Sequence, residues 1–399
     1  MKIKFNDILY AFSYALDCVE YELLGVTTNH GKRVAYISTI LGSSLGFGQE
    51  QLLDLAACAV LHDNALTEYI KTEYNKELFD SAQSREVGIH CAIGEKNIKG
   101  LPFSSDVSGA VLYHHENADG SGPFGKTAQQ TPLMAQLIHF GDTLDTKCNL
   151  GNYRQSKAEE LEAFLRANEN TLFTTEHINL FLQKFNSAAL EEMQDDNIDA
   201  LLRAELPETV REYPKETLFS IAAMFATIID YKSEITGRHS LGIAQKAMTL
   251  ARYYGYDEET VQKLYLAGAV HDVGKLVISD SILEKRGALN AAEYKNIQTH
   301  ALYSYKILSK IEGFEDITRW AALHHEKLNG KGYPFGKTAD ELDKNERMMA
   351  CLDVYQALTE TRSYKKSMPH ASAMAILRQM VQDGALDASI VEDIDKNFG

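Results

Sequence analysis

Apolar residues recur at intervals of three and four along most of the chain, most clearly over 51–61, 218–231, 241–254, 260–271 and 371–382. That spacing lays one apolar stripe along a 3.6-residue helix, so each stretch predicts a helix with one face in a core. No run of comparable length alternates apolar and polar positions as a half-buried strand would. Gly and Pro clusters punctuate the helical stretches, above all Asp119-Gly120-Ser121-Gly122-Pro123 and Asn329-Gly330-Lys331-Gly332-Tyr333-Pro334. The expected fold class is all-α, built from helical bundles. Residues 191–214 are acidic, then weakly helical, and end with Pro207 and Pro214, which predicts a linker at 195–214 between domains 1–194 and 215–399.

The polar positions carry a repeat. The first half holds His30, His62, Asp63, His90, His114, His115 and Asp142, and the second holds His239, His271, Asp272, His300, His324, His325 and Asp353. The two series keep an offset between 209 and 211 residues throughout. Ten of the thirteen histidines belong to them, leaving His139, His177 and His370 outside, so a residue this scarce is not aligned by chance. Pro123-Phe124-Gly125-Lys126-Thr127-Ala128 also recurs unchanged as Pro334-Phe335-Gly336-Lys337-Thr338-Ala339. The chain is a duplicated domain.

Composition narrows the function classes. At 399 residues, with 45% hydrophobic and 24% charged, the chain has room for two domains that each bury a core. A formal net charge of −16 argues against long nucleic acid as a partner, which relies on clustered Lys and Arg. A small anionic substrate stays compatible with it where bound cations reverse the field inside one pocket. No segment reads as membrane-spanning, and the opening MKIKFNDILYAF lacks an apolar run closed by a small-residue cleavage site. Five cysteines, Cys18, Cys58, Cys91, Cys148 and Cys351, show no C-x-x-C pairing and fit free thiols in a reducing compartment, so a cytoplasmic location is expected.

Taken singly, a histidine on an apolar helix more often packs in a core, and His139, His177 and His370 keep that reading. Five histidines and two aspartates in register with a second set point instead to metal. Neighbours on a helix project about 100° apart, so His271 and Asp272 serve one centre best if Asp272 bridges two ions. Seven donors are too many for one four-coordinate ion and suit two ions that share a carboxylate. The nitrogen and oxygen donors favour iron or manganese, with nickel or zinc also compatible.

His271-Asp272-Val273-Gly274-Lys275 followed by His324-His325-Glu326-Lys327-Leu328-Asn329-Gly330-Lys331-Gly332-Tyr333-Pro334 resembles the double signature of the HD-GYP family, bacterial metal-dependent phosphodiesterases of cyclic dinucleotides. The resemblance covers residues 218 to about 366 closely. It implies tandem all-helical HD domains and hydrolysis of cyclic di-GMP to linear pGpG or to GMP, with 3′,3′-cyclic GMP-AMP as the alternative substrate. It further implies one ion on His239, His271, Asp272 and Asp353, and another on Asp272, His300, His324 and His325, with a bridging hydroxide as nucleophile. Lys275, Tyr333, Arg362 and Lys365 are the implied substrate contacts. Ile235 stands where three-metal members carry Glu, so two ions are expected, and Asn329 and Gln356 replace two commoner aspartates.

The N-terminal copy keeps all seven donors as a second candidate metal site but loses the surrounding groups. Leu66 stands for Lys275, Gly151 for Arg362, and Gly122 runs into Pro123 with no Tyr between. A regulatory or structural metal domain is therefore expected at 1–194, with a homodimer or a signalling protein as the kind of partner that it would serve. A wholly non-catalytic metal- or ligand-sensing protein is the competing reading, disfavoured by Lys275, Tyr333 and Arg362. A mononucleotide hydrolase is disfavoured by the long Gly-Tyr-Pro motif.

Overall fold

The computed structural model describes residues 2–24, 28–66, 68, 84–194, 197–206, 210–232, 239–285, 287–360 and 367–399. Among these residues are eighteen α-helices and one sheet, a ribbon in which β1 (Lys2–Ile3) runs antiparallel to β2 (Arg211–Glu212). No helix among them is long and apolar enough to cross a membrane. The chain divides into two compact units, one of residues 4–210 and the other of residues 1–3 with 211–399.

The first unit holds α1 (Phe5–Leu24), α2 (His30–Ser44), α3 (Gln49–Val60), α4 (Ser84–Ile98), α5 (Leu133–Cys148), α6 (Ala158–Ala167), α7 (Thr175–Lys184), α8 (Ser187–Glu192) and α9 (Ile198–Glu205). Residues 195–214, expected as a linker, include α9, which packs on α2 with Ile198 and Leu202 buried. The helical part of that segment therefore belongs to the first unit, and the division between units falls at 210.

The second unit holds α10 (Lys215–Lys232), α11 (His239–Tyr253), α12 (Glu258–Val270), α13 (Asp280–Leu283), α14 (Ala291–Leu308), α15 (Glu315–Ala322), α16 (Lys344–Thr359), α17 (His370–Gln382) and α18 (Ala388–Phe398). Caps fix the starts of the site-bearing helices. The Asp257 carboxylate accepts the Thr260 N–H at 2.9 Å ahead of α12, and Asn290 with Glu293, then Asp343 with Glu346, form reciprocal capping boxes ahead of α14 and α16. A single cap of this kind contributes about 1 kcal/mol. Val261, Leu264, Ala267 and Val270 bury the inner face of α12.

Two glycines set the spacing of the second unit's centre. A Cβ on Gly268 would lie 2.6 Å from the Ala244 Cα, so only glycine lets α11 and α12 approach this closely. That approach leaves the His239 and His271 rings 5.6 Å apart. A Cβ on Gly274 would meet the His300 carbonyl oxygen, which ties the turn after α12 to α14. The turn also corrects a sequence expectation. The helix closes at Val270, His271 is its C-cap, and residues 273–277 form a 3₁₀ turn, so His271 and Asp272 sit at a helix end and not within a continuing helix.

Candidate metal centres

In the second unit His239 is the first residue of α11, His271 and Asp272 follow α12, His300 lies within α14, His324 and His325 follow α15, and Asp353 lies within α16. Five separate elements thus deliver seven side chains to one place. His239 Nε2 is 3.5 Å and His271 Nε2 3.9 Å from Asp353 Oδ1. One Asp272 oxygen, Oδ2, is 3.1 Å from His271 Nε2, while the other, Oδ1, is 3.4 Å from His300 Nε2 and 3.7 Å from His324 Nε2. His325 Nδ1 lies 3.7 Å from Asp353 Oδ2. The donors fall into two groups, His239, His271 and Asp353 against His300, His324 and His325, and Asp272 presents one oxygen towards each.

These donors fit metal on chemical grounds. The Nδ1–H of His271, His300 and His324 donates to the carbonyls of Gly268, Ile297 and Ala321, which turns each Nε2 lone pair into the centre. Those three Nε2 atoms and Asp272 Oδ1 are buried without a hydrogen-bond partner, a cost that ligation of cations removes. Burial and neighbouring positive charge push His324 well below the usual imidazole range, and burial brings His300 down to about 3, so both are neutral ligands at physiological pH. Although burial alone would raise Asp272, His271 and Lys275 hold its carboxyl well below the usual range. Divalent metal is the kind of group that this donor set fits.

His239 is oriented by a residue that the sequence did not single out. Its Nδ1–H donates to Glu360 Oε2 at 2.8 Å. In the first unit the equivalent His30 donates to Asp145 Oδ2 at 2.6 Å, and the fully buried Arg33 holds the other oxygen at 2.6 Å. Gln356 occupies the place of Asp145 and bonds instead to Lys246, so Glu360, one helical turn later, supplies the carboxylate. Replacing Glu360 by Ala is expected to weaken metal binding in the second unit by about 10- to 100-fold, read as metal content after dialysis against a graded chelator. Unchanged retention would remove Glu360 from this role.

Around the second unit's centre, Lys275 Nζ donates to Asp272 Oδ2, and the Tyr333 ring lies 4.7 Å from that of His325. Glu326 builds the loop carrying Tyr333 by accepting the backbone N–H groups of Phe335, Gly336 and Lys337 at 2.7, 3.1 and 2.9 Å. Its repeat, Glu116, does the same for Phe124 and Lys126, and the shared His-His-Glu triplet was the available signal. Arg362, Lys365 and Ile235 lie outside the described residues.

The first unit repeats the donor geometry closely. His30 Nε2 is 3.4 Å from Asp142 Oδ1, His62 Nε2 3.6 Å from Asp63 Oδ2, and His90 and His114 Nε2 are 3.1 and 3.5 Å from Asp63 Oδ1. His115 Nδ1 is 3.7 Å from Asp142 Oδ2, the same separation as in the other centre. Where Lys275 reaches Asp272, Leu66 is buried, although both residues close the same turn onto the aspartate carbonyl. The three remaining histidines make other contacts. His139 bonds to the His114 carbonyl, His177 packs against Phe140, and His370 bridges Tyr355 and Asp395.

The sequence profile described as "HD domain" matches residues 22–171 and 223–390. The 3′3′-cGAMP-specific phosphodiesterase 1 of Vibrio cholerae serotype O1 is 29% identical over 405 residues, covering 99% of this chain and 92% of its own. The 3′3′-cGAMP-specific phosphodiesterase 3 of the same organism is 29% identical over 72% of this chain and 62% of its own length. A cyclic di-GMP phosphodiesterase of Pseudomonas aeruginosa is 28% identical over 56% of this chain and 54% of its own. The crystal structure of a cyclic GMP-AMP-specific phosphodiesterase of V. cholerae shares the fold, with a TM-score of 0.69 at 22% identity over 100% of this chain and 98% of that one. With two matched segments, two sets of His and Asp donors and the Gly-Tyr-Pro loop after the second, the chain belongs to the HD domain family, as a tandem protein of HD-GYP type.

Proposed function

We propose that the second unit opens a cyclic dinucleotide by hydrolysing a 3′–5′ phosphodiester, and that the first unit holds metal without turning substrate over. The observation that carries this reading is the contrast between two donor sets of matching spacing, of which, among the described residues, the second has the Lys275 ammonium and the Tyr333 ring beside it while the first has buried Leu66 at the lysine's place. His239, His271, Asp272 and Asp353 would hold one ion, and Asp272, His300, His324 and His325 the other, with iron or manganese favoured and nickel or zinc compatible. When bound, two such cations lower the pKa of a shared water and neutralise charge on the phosphoryl oxygens.

The chain's own residues do the rest. Asp272 spaces the two donor groups, and Glu360 fixes the His239 ring. Lys275 stands beside Asp272, where its ammonium meets charge developing on a phosphoryl oxygen or on the departing 3′-oxygen. Tyr333 walls the pocket next to His325 and His300. Arg362 and Lys365 would take the second phosphate, a role that rests on the motif resemblance alone. One water adds its oxygen to phosphorus, the bond from phosphorus to the 3′-oxygen breaks, and that oxygen leaves with a proton as the linear dinucleotide forms.

The sequence put cyclic di-GMP first as substrate. The relative that spans nearly the whole tandem chain is named for 3′,3′-cyclic GMP-AMP, whereas the cyclic di-GMP enzyme from P. aeruginosa matches little more than half of it. The mixed dinucleotide is therefore the preferred substrate in this account. Purified protein loaded anaerobically with iron or manganese should open 3′,3′-cyclic GMP-AMP at least about tenfold faster in kcat/KM than cyclic di-GMP, a difference of about 1.4 kcal/mol. The reverse ratio would restore cyclic di-GMP, and hydrolysis of neither would overturn the assignment.

A further inference from the structure

The first unit's centre contains a donor that the second lacks. Cys91 directly follows His90 in α4, and the residue at the same offset after His300 is Ala301. The Cys91 side chain is wholly buried, and its Sγ lies 3.5 Å from His90 Nε2. Donor atoms of His90, Cys91, His114 and His115 all fall within 4.8 Å of one another. His114 Nε2 and Asp63 Oδ1, both facing the same space, are buried without a hydrogen-bond partner.

Bond lengths decide whether a thiolate fits. Metal–nitrogen and metal–sulfur bonds of about 2.1 and 2.3 Å at a tetrahedral angle place the two donors about 3.6 Å apart. The 3.5 Å between Cys91 Sγ and His90 Nε2 therefore suits two ligands of one ion. Closed ligand shells mark structural zinc sites, while catalytic sites keep a position for water. Thiolate also shifts preference from manganese towards zinc.

We propose that Cys91 joins His90, His114 and His115 as a thiolate ligand of one ion, four donors that close a tetrahedral shell and make this position zinc-selective. Binding transfers the thiol proton to solvent as the metal–sulfur bond forms. The second unit has Ala301 there, so its candidate donors are nitrogen and oxygen alone. The two copies thus differ at paired positions: the first has Cys91 where the second has Ala301, and Leu66 where the second has Lys275. This inference rests on the reading that the first unit binds metal.

Cobalt(II) replaces zinc and reports sulfur ligation through an intense near-ultraviolet thiolate-to-cobalt band. Full-length protein titrated with cobalt should develop that band, and Cys91→Ala and Cys91→Ser should lose it. Cys58→Ala should keep it, because Cys58 is buried near Asp54 and Glu95, outside this donor set. Zinc affinity of the first unit should fall by roughly 10- to 100-fold in both Cys91 variants. If Asp63→Ala lowers the bound metal count but the wild-type protein shows no such band, or the band survives Cys91→Ala, the thiolate assignment is wrong. If Asp63→Ala removes no metal at all, the reading beneath it fails as well.

Discussion

Asp272→Ala is expected to empty the second unit's centre and to lower cyclic dinucleotide hydrolysis by roughly 10³-fold or more. Asp272 presents one oxygen to each group of imidazoles, one 3.1 Å from His271 and the other 3.4 Å from His300. Without it the buried Nε2 atoms of His300 and His324 lose the carboxylate oxygen that lies 3.4 and 3.7 Å from them. The fold should survive, since the turn is also held by Ser304, whose Oγ–H donates to the His271 carbonyl and whose oxygen accepts the Gly274 N–H. Thermal unfolding separates site from fold. A ligand that binds only the folded state stabilises it, so the variant should lose the metal-induced rise in Tm yet match wild type in chelator. A variant with wild-type turnover and metal content would remove Asp272 from the bridging position.

Lys275→Ala is expected to lower turnover by about 10²-fold while leaving the metal count unchanged. Lys275 is not a metal donor, and its side chain is 20% exposed at the rim, whereas Leu66 at the repeated position is buried. If it acts on charge that grows towards the transition state, kcat falls more than KM rises. Loss of metal together with activity would make its pairing with Asp272 its main contribution. Unchanged kcat would leave it a solvated lysine.

The helices and the donor set were legible because each leaves a local or countable trace. Spacing at three and four marked α3, α10, α11 and α17 to within a few residues, and histidine is scarce enough for an offset of 209 to 211 to mean duplication. What stayed hidden depends on long-range packing. The 3₁₀ turn after α12, where Gly274 lies against the backbone of His300, is recorded by no pattern local to 260–271. Glu360 and Asp145 orient equivalent histidines from different helical turns, so alignment of the repeats points to Gln356 and misses the carboxylate that acts. Cys91 carries no spacing signal, and only the fold puts it beside His114 and His115. The linker expected at 195–214 failed because Pro207 and acidic charge outweighed the short apolar face of α9.

Turnover of 3′,3′-cyclic GMP-AMP by full-length Asp63→Ala and Asp272→Ala proteins, each loaded with the same metal and assayed side by side, tests the division of labour between the two centres. The substitutions remove equivalent carboxylates, one from each centre. The account predicts that Asp63→Ala keeps kcat/KM within about tenfold of wild type while Asp272→Ala loses roughly 10³-fold or more. Abolished turnover in Asp63→Ala with activity retained in Asp272→Ala would place hydrolysis in the first unit and contradict it.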